Sequence, residues 1–181
     1  MIIKKEEYCV NGLHYAIRSA QEKDAEALSE LRLTIDGETE NLDREKGEAS
    51  IDTSGFKQLI IMDAGKPRNL FLVAIAHERI VAFSRCEGIY LSRFSHKVEF
   101  GVCVLRDFWR YGIGKNLMKK SISWADAIGI KKISMNVIET NKNAIKLYEN
   151  LGFEIEGILK NDKILSDGKY YNTIMMGRLK E

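Results

Sequence analysis

The chain has 181 residues, 45% hydrophobic and 30% charged, with a formal net charge of +2. That balance fits a single globular domain over 1–181, and so small a net charge does not by itself point to nucleic acid. No apolar run approaches the ~18 residues that cross a bilayer, and Met1-Ile2-Ile3-Lys4-Lys5-Glu6-Glu7 lacks the apolar core of a signal peptide. Cys9, Cys86 and Cys103, with His14, His77 and His96, show neither disulfide nor zinc-ligand spacing, so a cytoplasmic, metal-free protein is expected.

Residues 1–12 read as an N-terminal extension, followed by a short strand around His14–Arg18. A helix is expected from about Asp24, its N-cap, because Ala27, Leu28, Leu31 and Ile35 recur at helical spacing. A second helix spans about Thr53 to Asp63 and ends at Gly65-Lys66-Pro67. Leu70–Ala76 and Ile80–Tyr90 form a hairpin about His77-Glu78-Arg79. Val98, Phe100, Val102 and Val104 alternate with Glu99, Gly101, Cys103 and Leu105, the period of a half-buried strand.

Beyond Gly112 the period becomes helical through Leu117, Met118, Ile122, Ala125 and Ile128, and Gly129 ends that helix. A strand at Ile133–Ile138 and a helix at Asn141–Asn150, closed by Gly152, come next. Phe153–Lys160 and Tyr170–Leu179 are two last strands joined at Ser166-Asp167-Gly168. The strand–helix–strand passage over 98–138 predicts a right-handed parallel crossover, with the remaining pairings antiparallel. The fold class is mixed α/β.

The chemistry-bearing stretch is Val102-Cys103-Val104-Leu105-Arg106-Asp107-Phe108-Trp109-Arg110-Tyr111-Gly112-Ile113-Gly114. A strand ends, a loop follows, and two glycines open an amphipathic helix. The first N–H groups of a helix have no intrahelical partner, and its dipole adds partial positive charge. Glycine there lets a bulky anion approach, as a phosphate or pyrophosphate site requires, though the same glycines can simply pack a helix on a sheet. There is no Gly-Lys-Ser/Thr ending for a P-loop, and the three-glycine dinucleotide fingerprint is incomplete.

This stretch resembles the Arg/Gln-x-x-Gly-x-Gly/Ala motif of the GNAT superfamily of N-acetyltransferases, with Gly112 and Gly114 at its glycines and Trp109 departing from Arg/Gln. Asn141-Lys142-Asn143-Ala144-Ile145-Lys146-Leu147-Tyr148-Glu149-Asn150-Leu151-Gly152-Phe153 is similar to that superfamily's Asn-x-x-Ala-x-x-Leu-Tyr-x-x-x-Gly-Phe signature. The tail Phe153–Lys160 with Asp167–Tyr170 resembles the branch that contains ribosomal-protein N-terminal and small-amine acetyltransferases.

The resemblance implies a mainly antiparallel central sheet flanked by helices, with one parallel strand pair splayed apart. Acetyl-CoA would be the co-substrate, without a metal. Its pantetheine arm would pair with the backbone of Val102, Cys103 and Val104. Its pyrophosphate would sit over the amides of Trp109, Arg110, Tyr111, Gly112, Ile113, Gly114 and Lys115. Arg106, Lys119, Lys142, Asn143 and Lys146 are further candidates for the coenzyme, and Asn141 either reaches it or only caps its helix.

Tyr148 is the expected acid for the leaving thiolate, with packing as its other reading. Glu99 is the leading general base and Glu87 the second, against plain solvent-facing carboxylates. The Val104 amide would polarise the thioester carbonyl. The acceptor would be a small-molecule amine or a protein N-terminus, attacking directly in a ternary complex. A homodimer is the family's habit. Residues 36–52 hold seven acids and two bases, either an attractive rim for a cationic amine or a solvated loop. A non-catalytic acetyl-CoA sensor is the alternative function.

Overall fold

The computed structural model describes residues 2–180. Its regular elements are β1 (Glu6–Val10), β2 (Leu13–Ser19), α1 (Ala25–Glu38), α2 (Thr53–Gly65), β3 (Leu70–Ala76), β4 (Arg79–Gly88), β5 (Lys97–Val104), α3 (Ile113–Ala127), β6 (Lys132–Ile138), α4 (Lys142–Glu149), β7 (Glu154–Ile164) and β8 (Tyr170–Leu179). The strands form one eight-stranded sheet in the order β1-β2-β3-β4-β5-β6-β8-β7. Only β5 and β6 run parallel; every other neighbouring pair is antiparallel.

Helices cover both faces. On one, Ile113, Leu117, Met118, Trp124 and Ala125 of α3 pack with Leu72, Val98, Phe100 and Met135 of the sheet. On the other, Leu28, Leu31 and Ile35 of α1 and Phe56 and Ile60 of α2 pack with Phe71, Val73, Phe83 and Cys103. β3, Leu-Phe-Leu-Val-Ala-Ile-Ala, has side chains in both cores, which explains its unbroken apolar run. Truncating fully buried Leu72 to alanine would cost about 2–5 kcal/mol through lost burial and a cavity.

Three local expectations change. The span read as an extension contains β1, which pairs with β2 from Glu6↔Ile17 to Val10↔Leu13 about an Asn11-Gly12 turn. Both turn residues have positive φ (51° and 81°), as a two-residue hairpin with native twist requires. Glu-Glu-Tyr-Cys-Val is too polar and too short to signal a strand alone. Asp24 does stand before α1, but its side chain does not cap that helix. Its carboxylate instead accepts from Arg18 at 2.6 and 2.8 Å and from the Gln21 amide at 2.8 Å. β7 runs on to Ile164, past the expected end at Lys160, with an irregular register between Leu159 and Lys163.

Candidate active site

β4 and β5 stay paired as far as Ala82↔Val104, whereas β5 and β6 pair only at Lys97↔Lys132, Val98↔Ile133 and Glu99↔Ser134. From Phe100 onward, therefore, β5 has no strand on its β6 side. The two strands part where the motif begins, leaving main-chain groups open to an amide-bearing arm. The divergence puts Val102, Cys103 and Val104 at the edge of a cleft. The Val104 carbonyl already accepts from the Trp109 indole Nε1–H at 2.8 Å, and a carbonyl has a second lone pair for another donor. Trp109 thus ties the loop back to the strand it leaves.

After β5, a single 3-10 turn at Arg106–Phe108 leads into the loop. Arg110 has φ 68° and Gly112 φ 72°. Gly112 is needed for its backbone: a Cβ there would meet only ordinary contacts at 3.5 Å or more, but in a conformation that side chains resist. No side chain caps α3, and its first intrahelical bond is from the Asn116 amide to the Gly112 carbonyl at 2.9 Å. The amides of Ile113, Gly114 and Lys115 are thus the unsatisfied donors of a long helix. At Gly114 the nearest atom to an added Cβ would be a Val104 methyl at 3.8 Å, so strand end and helix start lie side by side. Unpaired amides at the positive end of α3 fit a diphosphate.

The β1–β2 hairpin braces this loop, a contribution that linear motifs do not reveal. Asn11 Nδ2 donates to the Arg110 carbonyl at 3.1 Å, and Asn116 Nδ2 donates to the Tyr15 hydroxyl at 2.7 Å. Lys120 of α3 pairs with Glu6. The Asn11-Gly12 dipeptide was the available signal for the hairpin.

Arg106, Arg110, Lys115, Lys119, Lys142 and Lys146 have no salt-bridge partner among the described residues and are exposed, open to phosphate oxygens. Asn141 Oδ1 accepts from the Ala144 amide at 3.3 Å, the capping arrangement, while Asn143 is exposed. Tyr148 is 7% exposed and packs its ring 6.0 Å from that of Phe153. Burial pushes its phenol up to about 12, and the Cys103 sulfur adds a smaller push. The hydroxyl has no protein hydrogen-bond partner among the described residues, yet it is not sealed from solvent. A protonated phenol free to donate is what a departing thiolate requires.

Cys103 turns its side chain toward the α1 face, where Arg32 Nη1 lies 3.2 Å from its sulfur. Arg32 Nε is held by Asp36 at 2.9 Å. Burial pushes the Cys103 thiol up to about 11, which leaves it a neutral wall and not a nucleophile. Glu99 is exposed and stands directly across from Glu87 on β4. Both line a cleft of about 360 Å³ with Arg85, Ile89, Lys97 and Gly101.

The acidic stretch over 36–52 is tied into the fold. Asp36 pairs with Arg32, Glu38 accepts from the Arg106 amide, Glu40 from the Ser166 amide, and Asp43 pairs with Lys163. Glu48 accepts from the Glu45 amide, and Asp52 caps α2 through the Gly55 amide. Six of its seven carboxylates are thus engaged, three of them locally and three with the motif loop and the β7–β8 hairpin.

A splayed parallel strand pair beside an uncapped helix is the framework that the resemblance to the GNAT superfamily implies. The model of the acetyltransferase (GNAT) family matches residues 15–153, and the chain belongs to that family. It is 29% identical over 171 residues to the L-amino acid N-acetyltransferase AaaT of Escherichia coli, covering 91% of this chain and 97% of that one. It is also 31% identical over 94 residues to the ribosomal protein bS18-alanine N-acetyltransferase of Salmonella typhimurium, covering 52% of this chain and 61% of that one.

A GNAT-family acetyltransferase structure from Streptococcus pneumoniae superposes with TM-score 0.88 at 24% identity, over 92% of this chain and 99% of its own. The structure of yncA from Salmonella typhimurium with acetyl-CoA superposes with TM-score 0.82 at 18% identity, covering 92% and 94%. The activity and the fold class implied by the motifs therefore hold: the chain is an N-acetyltransferase that uses acetyl-CoA. The described helices include none long and apolar enough to cross a membrane.

Proposed function

We propose that this enzyme transfers the acetyl group directly from acetyl-CoA to a primary amine while both are bound. The observation that carries this reading is the opening of β5 from β6 next to the uncapped start of α3. The expected Trp109 amide is already spent on the Arg106 carbonyl at 3.0 Å, so the amides of Arg110 to Lys115, with Gly112 and Gly114 giving access, hold the diphosphate. The open edge at Val102–Val104 aligns the pantetheine arm, and the cationic side chains around it meet the phosphates.

Glu99 takes a proton from the incoming ammonium, whose reference pKa is near 10.4, and leaves a neutral nitrogen. That nitrogen attacks the thioester carbonyl, whose oxygen the Val104 amide supports. The carbon–sulfur bond breaks with its electron pair on sulfur, and Tyr148 donates a proton to the thiolate. Of the two protons lost by the ammonium, one replaces the proton Tyr148 gave and the other reaches solvent through Glu99. The amide and free coenzyme A thiol are the products, and juxtaposition of the two substrates supplies much of the acceleration.

The relatives that act on L-amino acids and on a protein N-terminal alanine support an α-amine as the acceptor. Three unpaired cysteines support a reducing, cytoplasmic setting. Exposed Ile155, Ile158 and Ile164 on edge strand β7 support pairing of two copies there.

The test is thiol release from acetyl-CoA across an amine panel, with a crystal soaked in acetyl-CoA. Glu99→Gln should lower kcat/KM about a hundredfold near neutral pH, and less as pH nears the amine's own pKa. An empty Trp109–Lys115 turn in the soaked crystal would refute the reading. Tight acetyl-CoA binding with silence toward every amine would favour a sensor.

A further inference from the structure

We propose that the acceptor is a free amino acid whose amine-bearing carbon crosses β5 over the bare backbone of Gly101, and that Gly101 limits its size. The inference rests on the N-acetyl transfer proposed above and names the acceptor class of that site. It begins with alternation: Val98 and Phe100 enter the α3-side core, while Cys103 enters the α1-side core. Lys97, Glu99, Gly101 and Cys103 therefore share the face away from α3. Along β5 toward the opening they give a cation, a carboxylate, a bare position and a wall beside the thioester.

Gly101 is unexplained by local structure. It lies inside a strand, paired with Arg85, and glycine there costs up to about 1 kcal/mol. Its φ lies outside the positive range, and an added Cβ would find nothing within 4 Å. Neither backbone conformation nor crowding requires glycine. What remains is the open space above it, part of the cleft that Glu99 lines. With no register shift at Arg85↔Gly101 to make it a bulge, a strand glycine with clear space over it fits close approach by a ligand.

The charges of that cleft select the visitor. Arg85 is fully engaged, with Nε and Nη2 on Asp63 at 2.6 and 3.0 Å and Nη1 on Glu87 at 2.8 Å. Among the described residues, Glu99 and Lys97 lining the cleft have no salt-bridge partner, and Lys97 Nζ lies over the Phe94 ring at 5.2 Å. One free anion and one free cation, about 7 Å apart along the strand, complement an ammonium and a carboxylate on one small molecule. In this cleft a polyamine would face a single free carboxylate, because none of the acids of 36–52 lines it. A peptide N-terminus would leave Lys97 without an anion.

Thiol release measured with free L-amino acids, their carboxamides, spermidine and an alanine-first peptide decides the matter. The free acids should exceed the carboxamides and spermidine by about tenfold or more in kcat/KM, as expected for a charge-assisted contact. Lys97→Met should remove that preference through KM for the acids, leave the carboxamides unchanged, and be rescued by Lys97→Arg. Gly101→Val should lower kcat/KM for the acids at least about tenfold, more for bulky than for small ones, with the Kd for acetyl-CoA held within about twofold.

Equal or better turnover of the carboxamides, spermidine or the peptide would overturn the proposal. So would a Gly101→Val enzyme with unaltered acceptor kinetics. Should Gly101→Val fail to melt cooperatively, Gly101→Ala and the Lys97 variants carry the same decision. Acetyl-CoA binding without discharge to any acceptor would defeat transfer itself, a result distinct from transfer to the wrong class.

Discussion

The side-chain amide of Asn11 donates to the main-chain carbonyl of Arg110 at 3.1 Å, across 99 positions of sequence. It joins the tip of the β1–β2 hairpin to the loop before α3. Arg110 needs that support, because its φ of 68° costs a non-glycine residue about 1–2 kcal/mol. If the loop's amides face one diphosphate, as proposed, affinity falls when its backbone relaxes. Asn11→Ala is therefore expected to weaken acetyl-CoA binding about three- to tenfold in calorimetry, with kcat at saturating acetyl-CoA near the wild-type value. An unchanged Kd would remove the hairpin from the binding site.

Arg110→Gly makes the complementary case. Relief of the left-handed strain should raise stability by about 1 kcal/mol in thermal or urea unfolding. The same change deletes an exposed guanidinium with no salt-bridge partner among the described residues, so any loss of affinity should shrink with added salt. A lower melting temperature would show that the side chain contributes more to the fold than its backbone costs.

Tyr148→Phe keeps the ring that packs on Phe153 and removes only the hydroxyl. If the phenol protonates the thiolate, kcat should fall at least about tenfold while the Kd for acetyl-CoA stays within about twofold. Melting should change little. Single-turnover thiol release separates this chemical step from product release. A wild-type rate would remove Tyr148 from the mechanism.

Three buried groups make stability depend on pH at the alkaline end. Burial raises Tyr148 from its ordinary 10 to about 12, Cys86 from 9 to about 12, and Cys103 from 9 to about 11. In each case the folded state keeps a proton that the unfolded chain gives up first. That stabilisation is complete below about pH 9, where even unfolded cysteines hold their protons, and is lost as pH rises through 9 to 12. Unfolding midpoints in urea should therefore decline steadily above pH 9. Cys86→Ala with Cys103→Ala should flatten the decline between pH 9 and 10, before tyrosine ionises. An equally steep curve in the double variant would assign the effect to other groups.

Much of the α/β order is legible along the chain because its causes are local. The apolar run of β3, the period change after Gly112 and the turn at His77-Glu78 each depend on residues a few positions apart. The loop before α3 is equally legible, since a strand end, glycines and an amphipathic helix suffice to present unpaired amides, although the Trp109 amide proves to be spent on the Arg106 carbonyl. β1 escapes because its partner supplies its hydrophobic complement: Tyr8 stacks on Tyr15 with ring centroids 5.3 Å apart. Asp24 misleads for a related reason, since Arg18 on β2 competes for the carboxylate expected to cap α1.

Charge is where composition and structure diverge most. Seven acids over 36–52 read as either a field for a cationic acceptor or a solvated loop, yet Lys163, Arg32 and several amides hold six of them in place. Conversely, Lys97 draws no attention along the chain, and only the mutual pairing of Arg85, Glu87 and Asp63 leaves it beside Glu99 as a free charge of the cleft. The amino-acid string by itself determined where most strands and helices fall and where glycines open α3, because backbone conformation and helical period answer to near neighbours. Only the folded chain decided which charges remain free and which strand edge stays open, because pairing depends on residues that meet solely in three dimensions.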